Sequence, residues 1–214
     1  MSAAAEVLSR GVAALGLDLD QAGQNLLMDY LRLMQRWNQA YNLTAVTDER
    51  DMVVRHLLDS LAIDPHVPNE GTVVDAGAGA GLPGMVLAIA RSQQARPQQP
   101  FVMVDSNGKK VRFLNQVCRH FGLHQVRVVQ ARVEALQSEP APAAVVARAL
   151  ASLDQLVTWC EPWLSQGAQL LAMKGALSDA ERAAVPPAYN VDLIPLQVPE
   201  LDAQRCLVVV TSHR

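Results

Sequence analysis

Between positions 21 and 41 the apolar residues Leu26, Leu27, Tyr30, Leu31, Leu33, Met34 and Trp37 recur at three- and four-residue steps. That spacing predicts an amphipathic helix. A second stretch over 48–63 puts Val53, Val54, Leu57, Leu58 and Leu61 on one face, with Thr47 or Asp48 as N-cap. With a shorter helix before Gly16, residues 1–68 read as an all-helical N-terminal extension. Pro65, Pro68, Asn69 and Gly71 then punctuate the chain.

After these breakers the period changes, and short apolar runs alternate with helical segments. Strands are expected over 72–76, 101–104, 126–130, 144–147 and 168–173, with helices over 83–91, 109–121 and 153–164. Such alternation describes parallel βαβ units with helices on both faces of a sheet. The last two strand-like runs, 189–198 and 206–211, are too close for a crossover helix and should pair antiparallel. The expected fold is therefore α/β: a mostly parallel seven-stranded sheet over 69–214, ending in an antiparallel hairpin. This pattern resembles the Rossmann-like class I methyltransferase core. The Gln- and Pro-rich segment 92–100 reads as a loop.

Composition narrows the class. Half of the 214 residues are apolar and 18% are charged, as in an ordinary globular protein. Cys118, Cys160 and Cys206 are an odd number, far apart and without a Cys-x-x-Cys pair, which argues against a disulfide framework or zinc site and for a reducing compartment. With neither a signal-peptide layout nor an apolar run long enough for a bilayer, a cytoplasmic protein without a membrane partner is expected. The formal net charge of −3 constrains any nucleic-acid partner, which would have to be held by local basic patches.

The densest chemical signal is the run from Val73 to Gly84, in which a buried-strand pattern enters Gly77, Gly79 and Gly81 and then a helix with Pro83 at its start. Glycines permit a tight turn and close approach of backbone to a ligand, and a helix start presents free N–H groups. A glycine-rich turn is also common as plain punctuation. Here the spacing is G-x-G-x-G, with Leu82 where the dinucleotide fingerprint has its third glycine. Asp75, two residues before the first glycine, would repel a pyrophosphate and welcome a sulfonium and an amino group. S-adenosylmethionine is therefore favoured over NAD. Asp105, at the end of the second strand, sits where doubly wound nucleotide binders place an acid for the ribose hydroxyls; its other reading is the N-cap of the following helix.

Further blocks occur in a fixed order: Trp37-Asn38 with Asn42-Leu43-Thr44, His56-Leu57-Leu58-Asp59-Ser60, the run from Asp75 to Gly84, Asp105-Ser106 with Gly108-Lys109 and Phe113-Leu114, Arg148-Ala149 with Ala151-Ser152-Leu153, and Lys174-Gly175. Together they resemble the bacterial small-subunit rRNA guanine-N7 methyltransferase G family, also called glucose-inhibited division protein B, over nearly the whole chain. The resemblance implies methyl transfer from S-adenosyl-L-methionine to N7 of a guanosine in a conserved loop of 16S rRNA. It implies cofactor contacts at Gly77 and Leu82, at Val133 and Glu134 around the adenine, and at Arg148. Ala78, Val86 and Asn107-Gly108-Lys109-Lys110 depart from the family's usual residues.

The absent chemistry agrees with this reading. Guanine N7 has a free in-plane lone pair, so no general base or catalytic residue is required and rate enhancement rests on positioning, worth on the order of 7–11 kcal/mol. No cysteine follows a proline, as pyrimidine C5 methylation would require, and Ala147-Arg148-Ala149-Leu150 stands where an exocyclic-amine enzyme carries Asp/Asn-Pro-Pro-Tyr. The alternative is the same methyl transfer to another RNA, a protein or a small molecule; a third class is a non-catalytic RNA-binding factor.

For a ribosomal RNA or small-subunit partner, Lys109, Lys110 and Arg112 beside the second strand, and Arg32, Arg36 and Arg55 on the N-terminal helices, are candidate phosphate contacts, as is Arg119. Each also fits a solvated helix face. His120 and His124 lack the glutamate of a zinc helix, so no metal is expected. Trp37 reads as core or as a stacking platform. His56 and Asp59 either pair with each other or face the target base. A monomer is expected.

Overall fold

The computed structural model describes residues 2–93, 99–136 and 140–213. The chain begins with α1 (Ala3–Ala14) and α2 (Gln21–Tyr41), capped by the side chains of Ser2 and Asp20, which accept from Ala5 N and Gly23 N. Such caps satisfy N–H groups that have no partner inside the helix and contribute about 0.5–2 kcal/mol each. Asp48, not Thr47, caps α3 (Glu49–Met52), which passes through a π-helical segment, Val53–Leu58, into α4 (Asp59–Leu61). The apolar periodicity of 48–63 gave one helix but carried no sign of the wider π turn, whose Arg55 carbonyl accepts a hydrogen bond from Arg148. Interruptions of this kind cluster at functional sites.

The sheet follows with β1 (Val73–Ala76), α5 (Gly84–Ser92), β2 (Phe101–Asp105), α6 (Gly108–Phe121), β3 (Val126–Gln130), β4 (Ala144–Arg148), α7 (Leu153–Leu164), β5 (Gln169–Lys174), α8 (Asp179–Ala183), β6 (Tyr189–Leu196) and β7 (Arg205–Ser212). The strand order is β3-β2-β1-β4-β5-β7-β6, with β1 to β5 parallel and β7 antiparallel to both neighbours. The seven strands lie within a few residues of their expected positions. Helix α8 was not foreseen because it has no buried residue and hence no apolar stripe. The 92–100 loop falls largely outside the described residues.

Order reverses between β1 and β4, which leave the switch point in opposite directions and open a crevice beyond their C-terminal ends. One apolar core lies on each face of the sheet. Leu8, Leu27, Leu31 and Leu58 of the N-terminal helices belong to the same core as Met85 of α5 and Phe113 of α6. The other face is covered by α7 through Leu153, Leu156, Cys160 and Leu164. The N-terminal helices thus form part of one layer of the sandwich.

A buried polar knot fixes the opposite end of the sheet. Arg91, 6% exposed, donates to Asp64 Oδ1 at 2.7 Å, to the Asp64, Val67 and Pro68 carbonyls, and to Gln99. It ties the connection between helices and sheet to α5 and to the chain entering β2. Removing one partner of a buried ion pair strands the other and costs about 3–5 kcal/mol. Arg91→Leu should therefore lower the unfolding free energy by that amount, read as a lower urea midpoint at unchanged m, while ligand affinity at the far end of the strands stays as it was. A loss of unfolding free energy below about 1 kcal/mol would contradict the role given to Arg91.

Candidate cofactor and active site

The crevice holds a cavity of about 570 Å³ lined by Gly77–Ala80, Leu82, Val104–Asn107, Lys110, 131–134 and 148–150, closed on the helical side by Leu43, Thr44 and His56. Its floor is the loop joining β1 to α5, which enters positive φ at Gly77 (68°), Gly79 (60°) and Gly81 (92°). Those conformations favour glycine. At Gly77 a Cβ would also collide with Leu150 at 2.5 Å, and at Gly81 with Met85 at 2.6 Å; at Gly79 nothing stands closer than 3.8 Å, so that backbone faces open space.

Three side chains from three elements hold this loop. Gly79 N–H donates to Asp105 Oδ2 at 2.9 Å, and Gly84 N–H donates to Asp75 Oδ2 at 2.7 Å. The Tyr30 hydroxyl of α2, fully buried, donates to the Ala80 carbonyl. Tyr30 was read from sequence only as part of an apolar stripe, because a helical period does not reveal a phenol head reaching a loop fifty residues away.

The expectation that Asp75 faces the cofactor is corrected. Asp75 is 0% exposed and is not among the residues lining the cavity; one of its carboxylate oxygens accepts from Gly84 N–H. Gly81 likewise packs against Tyr30 and Met85 instead of lining the cavity. Asp105 lines the crevice at the position expected for a ribose acceptor. Its other reading as the N-cap of α6 is replaced: that cap is Asn107, which accepts from Lys109 N at 2.9 Å, while Asp105 Oδ1 accepts from Asn107 N at 2.8 Å. Gly77, Gly79, Leu82, Val133, Glu134 and Arg148 all line the crevice.

His56 and Asp59 do not pair. His56 Nε2 is 2.8 Å from Thr44 Oγ1, whereas Asp59 accepts from Arg148 Nη1 and from Arg205 Nε, each at 3.0 Å. Arg148 stands between the crevice and an adjoining cavity of about 520 Å³ lined by Arg55, Asp59, Lys174 and Arg205, among others. Arg205 escaped the sequence reading, since an arginine opening a hairpin strand carries no distinguishing pattern. Lys174 entered the sequence reading only through the block Lys174-Gly175; it donates to Glu181 at 2.6 Å.

Of the basic candidates, Lys110 lines the crevice, with its ammonium 3.8 Å from Asp105. Lys109 and Arg112 are exposed on the same helix, Arg32, Arg36 and Arg55 are exposed on the helical side, and Arg119 is exposed farther along α6. The crevice therefore lies between two sets of cations. Trp37 packs on Tyr41 and Phe113, with ring centroids 4.9 and 5.7 Å away, beside the core. Among the described residues no group of three or more His, Cys, Asp or Glu could hold a metal, and no helix is long and apolar enough to cross a membrane.

The open backbone at Gly79, the buried acid at the end of β2, and the 131–134 segment after β3 suit a nucleoside with an amino-acid tail. Fold and crevice define a class I, S-adenosylmethionine-dependent methyltransferase. Solved structures agree on the fold: an rRNA methylase from Streptococcus thermophilus aligns with TM-score 0.51 at 16% identity, covering 73% of this chain and 95% of that one. A ribosomal protein L11 methylase from Lactobacillus delbrueckii aligns with TM-score 0.55 at 18% identity, covering 73% and 77%. Because an RNA-modifying and a protein-modifying enzyme match alike, the fold leaves the substrate open.

Sequence relatives are more specific. Residues 23–208 match the family model GidB, rRNA small subunit methyltransferase G. The ribosomal RNA small subunit methyltransferase G of Xanthomonas campestris is 47% identical over 204 residues, 95% of this chain and 92% of its own length. That of Enterobacter sp. is 43% identical over 207 residues, 96% and 97%. The chain belongs to the rRNA small subunit methyltransferase G family.

Two buried titratable groups flank the loop. Burial pushes the Asp75 carboxyl up to about 7 against the opposing Gly84 N–H, and burial lowers the His56 imidazole to about 4. Asp75 binds its proton more tightly folded than unfolded, so its contribution to stability is lost as pH rises from about 4 to about 7. His56 does the reverse, destabilising the fold as pH falls from about 6.5 to about 4. The two oppose each other over nearly one window. Asp75→Asn should leave stability climbing more steeply than the parent from pH 4 to 6.5, and His56→Gln should leave it falling from pH 4 to 7. Urea midpoints against pH check both; parallel curves for parent and variants would contradict the assignment.

Proposed function

We propose that this chain transfers the methyl group of S-adenosyl-L-methionine to N7 of a guanosine in 16S rRNA, acting as a cytoplasmic monomer on ribosomal RNA or the small subunit. The observation that carries the substrate is identity of 43–47% over 95–96% of the chain with relatives named for the small-subunit rRNA. Domain organisation follows: the helices of 1–68 form one wall of the site and 69–214 hold the cofactor.

When bound, S-adenosylmethionine supplies an electrophilic methyl group. The backbone at Gly77 and Gly79 would receive its amino-acid end, Asp105 its ribose, and Val133 and Glu134 its adenine, with Leu82 of the glycine turn and Arg148 at the end of β4 as further contacts. Attack by the N7 lone pair releases no proton, so the protein's task is to orient two reactants and exclude water. His56, neutral at physiological pH because its pKa is held near 4, adds no cation to the crevice wall as the guanine ring becomes positively charged. Lys109, Lys110 and Arg112 on one side, and Arg36 and Arg55 on the other, would neutralise phosphates around the target.

Small subunits from cells lacking this gene, mapped by mass spectrometry, should lack one 7-methylguanosine of 16S rRNA, and purified protein with S-adenosylmethionine should restore it. An unchanged set of 7-methylguanosines would refute the proposal.

A further inference from the structure

A third, larger cleft of about 870 Å³ opens on the helical side, between the outer face of α2 and the 44–47 segment. Arg32, Gln35, Arg36, Gln39 and Asn42 line it, and no acidic residue does. In a chain of net charge −3 such a run of cations and amides without carboxylates is a local exception. Arg32 shares its charge with Asp29 at 2.8 Å, but Arg36 has no ion-pair partner among the described residues, nor do the side chains of Gln35, Gln39 and Asn42 have hydrogen-bond partners there. Free amides beside a free guanidinium offer donors and acceptors for base edges and ribose hydroxyls together with a charge for phosphate.

The cleft borders the active site at one residue. Thr44 lines both cavities, its hydroxyl facing His56 of the crevice. Its backbone is fixed by Asn38, whose amide donates to the Thr44 carbonyl and accepts from the Thr44 N–H, each at 2.9 Å. A fixed ridge thus separates a site for the reacting nucleotide from a groove with the chemistry to hold its neighbours.

Resting on the proposed rRNA substrate, we propose that this groove binds the unpaired RNA strand adjoining the target guanosine, with Arg36 on a phosphate and Gln35 and Gln39 on bases or riboses. The strand then crosses the Thr44 ridge, and the N-terminal helices select substrate as well as wall the site.

The test uses small subunits from a strain lacking the gene, and naked 16S rRNA for binding. Arg36→Gln should raise KM for subunits about tenfold at physiological salt and reduce the log-log salt slope by roughly 0.7–0.9, the signature of one lost phosphate contact. Gln35→Ala with Gln39→Ala should raise KM but leave the salt slope unchanged. In both, kcat at saturating RNA and calorimetric affinity for S-adenosylmethionine should match the parent, which a misfolded variant could not do. Parental KM and slope in both variants would overturn the inference. So would weakened binding to intact subunits with normal binding to naked 16S rRNA, which would mean that a ribosomal protein occupies the groove. If the parent itself methylates no rRNA, the proposed function fails and this inference with it; if the parent is active and the variants are indistinguishable from it, this inference alone fails.

Discussion

The loop between β1 and α5 would be a poorly determined piece of chain without the groups that grip it. Three of its residues are glycines at positive φ, the residue type with the greatest backbone freedom and the highest entropic cost of order. Asp105 holds Gly79, Asp75 holds Gly84 and Tyr30 holds Ala80, from β2, β1 and α2 respectively. A hydrogen bond contributes about 0.5–1.5 kcal/mol net, and about 1.5–3 kcal/mol where a partner is charged, so the three together offset the ordering of one or two residues at about 1–2 kcal/mol each. The crevice is a shaped surface because these bonds are made at once.

That arrangement gives the N-terminal helices a stake in the cofactor site. Tyr30 is fully buried, and burial raises its phenol well above the usual range, so it stays a neutral donor to the loop. The same helix that supplies Tyr30 inward supplies Arg36 and Gln39 outward. Thr44 and His56 extend the helical wall to the crevice itself, while Asp59, between Arg148 and Arg205, fixes the opposite corner. Substrate side and cofactor side are consequently built on common elements.

Much of this was legible in the sequence because it depends on local period or spacing. The change from three-and-four to short-run periodicity marked the passage from helices to sheet, and the short link between the last two runs required the antiparallel hairpin. The glycine turn and Asp105 were legible because their spacing follows from the strand-to-helix geometry itself. What stayed hidden was long-range: Tyr30 reaching Ala80, Arg205 reaching Asp59, and the π segment that brings the Arg55 carbonyl to Arg148. Asp75 was misjudged for the same reason, since only the packing of α5 shows that Gly84 N–H occupies one oxygen and that the other is enclosed without a hydrogen-bond partner among the described residues. The alternative pairing of His56 with Asp59 assumed an α-helical pitch that the π segment does not have.

The loop is shaped before any cofactor arrives, by bonds wholly internal to the protein. Amide hydrogen exchange of Gly79 and Gly84 in the cofactor-free protein tests it most directly. The account predicts that both amides exchange far more slowly than an exposed loop, because each is bound to a buried carboxylate. Exchange of both at unprotected rates, slowing only when S-adenosylmethionine is added, would contradict it and make the cofactor the organiser of its own site.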